Sequence, residues 1–393
     1  MTAAMNQIIP NGYKQTEIGV IPMDWDVKEI NDLTISVSSG KSKTTSEMGD
    51  FPIYGSTGII GHRKQPDYSG NKVLIARVGA NAGTVNKVSG KYCVSDNTLM
   101  LTYRHDIDID FSYYQLVNFN LNKLIFGSGQ PLVTGSQVKK VTLPIPRDKQ
   151  EQSAIATAIS DADAFIEKLT KFVEKKKNIK QGVMQELLTG KRRLPGFNEK
   201  RETTILGKVA NFEHGYGLSK SDLNDDGHCK CIHYGQLFTG YKELIGEIKS
   251  KTNINVNNFY SKENDVLMPT SDVTPRGLAT ASCIKENGVI LGGGILVIRL
   301  NPEYDGLFLS YFITQNKNLV LQLVKGSTVF HLYAADLANL EVTFPKYEEQ
   351  KSIAIILSDM DSEIEKLESQ LNKYKNLKQG MMQNLLTGKI RLI

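Results

Sequence analysis

The sequence predicts an α+β chain: two globular mixed α/β heads separated by two long antiparallel coiled-coil helices, with a pseudo-two-fold relation inside one polypeptide. Three observations predict it. Sliding the chain against itself by 198 positions pairs Glu151–Leu194 with Glu349–Leu392 without a gap, and roughly 26 of the 44 pairs are identical, which chance does not produce. Inside both copies apolar residues recur at alternating four- and three-residue spacings, the pattern of a helical seam. The remaining segments, 27–126 and 205–325, are strand-like runs broken by Gly, Asn and Asp that match each other only in coarse pattern.

The elements follow in order as a head (1–146), a long helix (147–194), a second head (195–345) and a second long helix (346–393). In the second copy the stripe reads Ile353, Leu357, Met360, Ile364, Leu367, Leu371, Tyr374, Leu377, Met381 and Leu385. The first copy has Ile155, Ile159, Ala162, Ile166, Leu169, Val173, Lys176, Ile179, Val183 and Leu187, and Lys176 alone breaks it. A helix starting after Pro146 and stopping at Gly190 is about 60 Å long at roughly 1.5 Å per residue, and Gly388 supplies the matching stop. One apolar stripe on a long helix needs a partner, and the other copy is the plainest one, returning antiparallel. Gly182 and Gly380 interrupt the helices at about 1 kcal/mol each relative to alanine, which points to close helix approach or to docking of a partner protein there. The flanking Gln181, Gln185, Gln379 and Gln383 join them as candidate partner-binding residues. Equal helices and unlike heads make a caliper with two different jaws.

Length and composition bound the function. The 393 residues suit two or three domains, each able to bury a core. The net charge of +5 is patchy, with basic residues gathered in 171–180 and at Lys191, Arg192, Arg193, Lys200 and Arg201, compatible with nucleic acid. The N-terminus lacks a charged region followed by an apolar stretch, and the longest apolar run, 289–298, holds three glycines and is too short to span a bilayer. Four cysteines make no disulfide framework, so the expectation is a soluble, unexported, cytoplasmic protein with no membrane partner.

The heads carry the candidate binding chemistry. In the first, an apolar strand at 73–76 leads into Arg77 and a glycine-rich turn, near Tyr54, Arg63 and Lys64. Arg and Lys can bond guanine O6 and N7, and Gln can read adenine, the chemistry of major-groove recognition; the plainer reading is a solvated loop. Each head ends in a similar turn, Gly127-Ser128 followed by Gln130 and Gly326-Ser327 preceded by Lys325, where glycine frees backbone N–H groups for an anion. In the second head Lys220, Tyr234, Gln236 and Arg276 complete the candidate DNA contacts. The run His228, Cys229, Cys231, His233 lacks the two separated pairs of a structural zinc site and reads instead as a strand with Cys229, Cys231 and His233 on one face.

Catalytic signatures are missing. Gly40-Lys41-Ser42 lacks the upstream glycine of a phosphate loop, no G-x-S-x-G or H-E-x-x-H occurs, and 78–83 lacks the context of a dinucleotide site. The expectation is a chain that binds without catalysing.

At this point the residues resemble the specificity subunit of type I restriction-modification systems. The resemblance covers nearly the whole chain and rests on "YKQTEIGVIPMDWDVKEINDL" (13–33), "ARVGANAG" (76–83), "GSGQP" (127–131), "CIHYGQLFTGY" (231–241) and the two "LLTGK" helix ends. It implies that the variable heads are target-recognition domains, each reading half of a split sequence in double-stranded DNA. It also implies that the repeated helices set the unread spacer and hold two methyltransferase subunits, which use S-adenosylmethionine on adenine. The resemblance further implies restriction subunits that use ATP and Mg2+ to translocate and cleave, and a chain that itself should bind no cofactor. The second Gly-Ser turn has Val329-Phe330 in place of Gln130-Pro131, so no Gln contact carries over to it. Two other readings stay open on the residues alone: a coiled-coil adaptor whose heads bind proteins, and a metal-dependent nuclease built on the His-Cys run.

Overall fold

The computed structural model describes residues 9–125, 131–254 and 259–392. Contacts divide the chain into two compact units, one made of residues up to 170 together with 369 onward, the other of 171–368. Each unit therefore contains one head, the start of one long helix and the end of the other.

In the first unit a hairpin, Tyr13–Thr16 with Gly19–Pro22, precedes ten strands. They are β1 (Trp25–Glu29), β2 (Thr34–Ser39), β3 (Phe51–Gly55), β4 (Gly58–Arg63), β5 (Tyr68–Ser69), β6 (Lys72–Ala76), β7 (Val85–Val88), β8 (Lys91–Val94), β9 (Thr98–Tyr103) and β10 (Thr142–Pro146). Two four-stranded sheets result, in the orders β2-β9-β6-β7 and β4-β3-β8-β5, and β1 pairs with β10. The run 73–76 lacks alternation because it is buried on both faces: Val73 and Ile75 enter the main core, Leu74 a smaller one with Tyr92 and Val94. Helix α1 (Ile109–Phe119) is capped by Asp108, whose carboxylate accepts from Phe111 N at 2.9 Å. Long helix α2 runs Lys149–Thr189 and begins in this unit.

The second unit repeats the order of these ten strands, without the leading hairpin and with short strands added. Its strands are β11 (Glu202–Ile205), β12 (Ala210–His214), β13 (Cys229–Ile232), β14 (Ser250–Thr252), β15 (Phe259–Tyr260), β16 (Val266–Pro269), β17 (Ser282–Ile284), β18 (Ile290–Leu291), β19 (Ile295–Leu300) and β20 (Glu341–Phe344). The orders are β12-β19-β16-β17, extended by Leu244–Ile245, and β14-β13-β18-β15, with β11 on β20. The parallel pair β8 with β3 has its counterpart in β18 with β13, while the parallel pairing of Leu244–Ile245 with β17 is added in the second head. Helix α3 (Gly306–Gln315) is capped by Asp305 as α1 is by Asp108, and long helix α4 runs Tyr347–Leu385. The heads share little sequence, yet they share one fold.

Both long helices stop as their glycines demand: Gly190 and Gly388 have φ of +78° and +72°, the left-handed region. Antiparallel pairing is visible inside each unit. In the first, Asp163 meets Lys378 at 2.5 Å and the rings of Phe165 and Tyr374 lie 4.5 Å apart. In the second, Lys180 meets Asp361 at 2.5 Å and Lys176 meets Glu363 at 2.6 Å. Lys176, the one polar residue in the stripe, thus reaches a carboxylate and lies over the Phe172 ring.

Two expectations about the helices are corrected. Ile179 and Leu377 are exposed and not closed into the seam, and Tyr374 is only half-covered although its ring meets Phe165 across the seam. Gly182 and Gly380 do not mark close helix approach: a Cβ at either would meet nothing within 4 Å.

A clasp explains why the repeated ends are so alike. In the first unit Arg391, just past α4, donates to Glu151 at the start of α2, with Nη2 at 2.8 Å, and to both oxygens of Asp24 at 2.8 and 2.9 Å. The buried Trp25 donates its Nε1 to the same Glu151 at 3.2 Å. In the second unit Arg193, just past α2, donates to Glu349 at the start of α4 at 2.5 and 2.8 Å. Arg201 adds a bond to Glu349 at 3.0 Å and two to the carbonyls of Leu187 and Leu188. Next along, Tyr114 donates to Asp163 at 2.9 Å and Tyr311 to Asp361 at 2.7 Å. Burial, then the adjacent carboxylate, pushes both phenols up, so they stay protonated donors.

Candidate nucleic-acid interface

The corresponding strands define corresponding sites. In the first head Arg77 follows β6; its N–H donates to Asn97 O at 2.9 Å and its carbonyl accepts from Val133 N at 2.8 Å. In the second head Thr270 follows β16; its N–H donates to Gly294 O at 2.9 Å and its carbonyl accepts from Leu332 N at 2.9 Å. These positions are the same place in the fold, held by the same backbone bonds.

The glycine-rich turn after Arg77 is a tight reversal, with Gly79 at φ +80° and Gly83 at φ +87°, and Gly79 N donates to Pro131 O at 3.0 Å. Beyond Arg77, whose Nη1 donates to Ser39 Oγ at 3.3 Å, the other candidates of the first head are less available. Tyr54 packs edge-on to Tyr92 over the smaller core. Arg63 is paired with Asp67 at 2.8 Å, while Lys64 is exposed. Gln130 lies outside the described residues.

In the second head Arg276 is exposed on the turn Pro275–Ala279, beside the two-stranded pairing of Ser271–Asp272 with Phe330–His331. Lys325 closes the following turn through reciprocal backbone bonds with His331, and its ammonium pairs with Asp336 at 2.7 Å. Lys220 is exposed. Tyr234 packs on the neighbouring core, and Gln236 is occupied locally: its Oε1 accepts from His233 N and its Nε2 donates to Ser250 Oγ. Sequence reasoning passed over Tyr216 and Tyr333, exposed on this head, for which isolated tyrosines gave no signal.

Of the His-Cys run only Cys229–Ile232 form β13; His228 precedes the strand and His233 lies past its end, so the expected face holds Cys229 and Cys231 without His233. Burial, helped by Cys229, pushes the Cys231 thiol up to about 11, which disfavours the thiolate a metal requires. Among the described residues no three His, Cys, Asp or Glu side chains are grouped to hold a metal ion, and no helix is long and apolar enough to cross a membrane. On the long helices Gln181, Gln185, Gln379 and Gln383 are exposed, with Gln181 Nε2 donating to Gln315 Oε1 at 2.9 Å.

Two like-folded heads with unlike polar turns, each clasped to both long helices, define a two-headed recognition protein. The family model for the type I restriction modification DNA specificity domain matches residues 22–181 and 198–374, and the chain belongs to that family. It is similar to two type I restriction enzyme specificity subunits of Methanocaldococcus jannaschii. The one designated MjaX is 26% identical over 97% of each chain, and that of MjaVIII is 25% identical over 95% of this chain and 94% of its own. Its fold is similar to the crystal structure of the S subunit from M. genitalium, with a TM-score of 0.65 at 16% identity, covering 92% of this chain and 96% of that one. The chain is a specificity subunit for DNA target recognition, and it is not the catalytic part of its system.

Proposed function

We propose that each head reads one half of a bipartite target in double-stranded DNA, that the paired helices set the unread spacer, and that they hold two modification subunits. The observation carrying this reading is the shared order of ten strands in two heads whose polar turns differ, with Arg77 in one where Thr270 stands in the other. One scaffold with two sets of side chains suits two different half-sites. Lys64, Arg77, Lys220 and Arg276 supply cations for phosphate or base edges, Arg63 and Lys325 would have to leave Asp67 and Asp336 to join them, Tyr54, Tyr234 and Gln236 shape the turns, and Gln130 completes the first set. The exposed helix face bearing Gln181, Gly182 and Gln185, with Gln379, Gly380 and Gln383 in the other copy, offers polar docking sites unobstructed at both glycines. Adenine methylation with S-adenosylmethionine, and translocation and cleavage with ATP and Mg2+, fall to the partner subunits, and this chain acts in the cytoplasm.

The test is an exchange of heads. Replacing 27–123 by the corresponding head of another specificity subunit should change one half-site of the methylated sequence and leave the other intact. Affinity of the assembled complex for duplex DNA should also fall steeply with salt, as phosphate neutralisation requires. A flat salt response, or both half-sites changing together, overturns the reading in favour of a protein-binding adaptor.

A further inference from the structure

The ten arginines of the chain are not equivalent. Seven pair with carboxylates: Arg63, Arg147, Arg192, Arg193, Arg201, Arg299 and Arg391. Arg104 and Arg276 are exposed, where water solvates the charge. Arg77 alone is half-buried with no carboxylate among the described residues; its Nε, like those of Arg63 and Arg201, is buried without a partner, and among the described residues Ser39 Oγ is its one side-chain hydrogen-bond partner. A half-buried guanidinium without a counter-charge is poorly compensated, and acceptors reaching its Nη groups would improve that compensation.

The second head shows what kind of acceptor. Strand registers align Ile75, Leu99 and Ser39 with Met268, Leu296 and His214, so Arg77 and Thr270 occupy one station and Ser39 and His214 its neighbour. Thr270 turns its hydroxyl inward, donating to Gly294 O at 3.2 Å. A cation gripping the DNA backbone would be needed equally in both heads. A station with a fixed cradle and an exchanged side chain is what base discrimination requires.

We propose that residue 77 is a specificity-determining position of the first head, with the Arg77 fork taking the paired O6 and N7 acceptors of one guanine, and that Thr270 holds the equivalent position of the second head without that preference. The inference rests on the split-target reading above. The fork matters, since a guanidinium presents two parallel donors and an ammonium does not.

The experiment selects binders from a randomised duplex library with the purified complex of this chain and its modification subunits, wild type against Arg77→Thr, Arg77→Lys and Thr270→Arg. Arg77→Thr should reduce the preference for guanine at one position of one half-site by about tenfold or more, leaving the other half-site unchanged. Arg77→Lys, which keeps the charge, should relax the same position while the melting temperature stays put, and it carries the test if the threonine variant folds poorly. Thr270→Arg should raise guanine preference in the other half-site. Uniform weakening across all sequences would assign Arg77 to a phosphate and overturn the proposal, as would an unchanged preference. If the wild-type complex selects no split sequence, the functional reading itself has failed, a result separable from either.

Discussion

The two clasps solve one problem with different resources. Both bury a glutamate at the start of one long helix, Glu151 or Glu349, against an arginine just beyond the end of the other, Arg391 or Arg193. In the first unit the arginine is shared with Asp24 and the glutamate is bonded by Trp25. In the second the glutamate is shared with a second arginine, Arg201, which is itself buried and holds the last carbonyls of α2. The first clasp is one cation with two carboxylates, the second one carboxylate with two cations. The repeated residues supply the common charge pair, and each head supplies its own third partner, so unlike heads can be mounted on like helix ends.

That difference predicts an asymmetry. Glu349→Ala should be the most damaging change, since it strands two arginines, one of them buried; a loss on the order of 3–5 kcal/mol is expected by urea unfolding. Glu151→Ala should cost clearly less, because Arg391 keeps Asp24. Equal losses would dissolve the distinction. Among apolar residues of α4 in the first unit, Leu371→Ala should lose about 2–3 kcal/mol and Leu377→Ala under about 0.5, because the first side chain is 8% exposed and the second 55%.

Removing one hydroxyl compares the tyrosine–aspartate–lysine sets. Tyr311→Phe should cost about 1.5–3 kcal/mol, the range for a hydrogen bond to a charged group. Tyr114→Phe should cost less, as Asp163 and Lys378 are more exposed than Asp361 and Lys180. The smallest effect is a pH dependence. Hydrogen bonding from Arg391 holds the Asp24 carboxyl below its ordinary 3.8, so its contribution is complete above that value and is lost as pH falls through the lowered one. Burial raises Asp305, so ionising it opposes folding of the second unit and acid relieves that. Asp24→Asn should therefore flatten the acid limb of a stability–pH curve below about pH 4, modestly, given its exposure.

The helices were legible because a self-match and a heptad stripe are local signals that survive in one dimension. Their exposed positions were not: Ile179 and Leu377 continue the spacing, and spacing cannot tell which turns a neighbour covers. The clasps lay in view as identical residues of the two copies, Glu151 and Glu349, Asp163 and Asp361, Arg193 and Arg391, but their pairing runs crosswise between copies and needs three dimensions. The likeness of the heads was hidden because backbone ladders fix it, and those accept almost any side chain that suits a buried or half-buried strand. Arg77 was visible as a cation after a strand, whereas its lack of a carboxylate could be judged only once every other arginine had a place. Gln236 and Arg63 carried the right chemistry for DNA but are engaged within their own loops.

The central claim is that the paired helices measure while the heads read. Deleting one heptad from α2 and the matching heptad from α4, then mapping methylated sites across a genome carrying the variant, tests it most directly. Both half-sites should keep their bases while the number of unread base pairs between them changes; altered half-site bases with an unchanged spacer would contradict it.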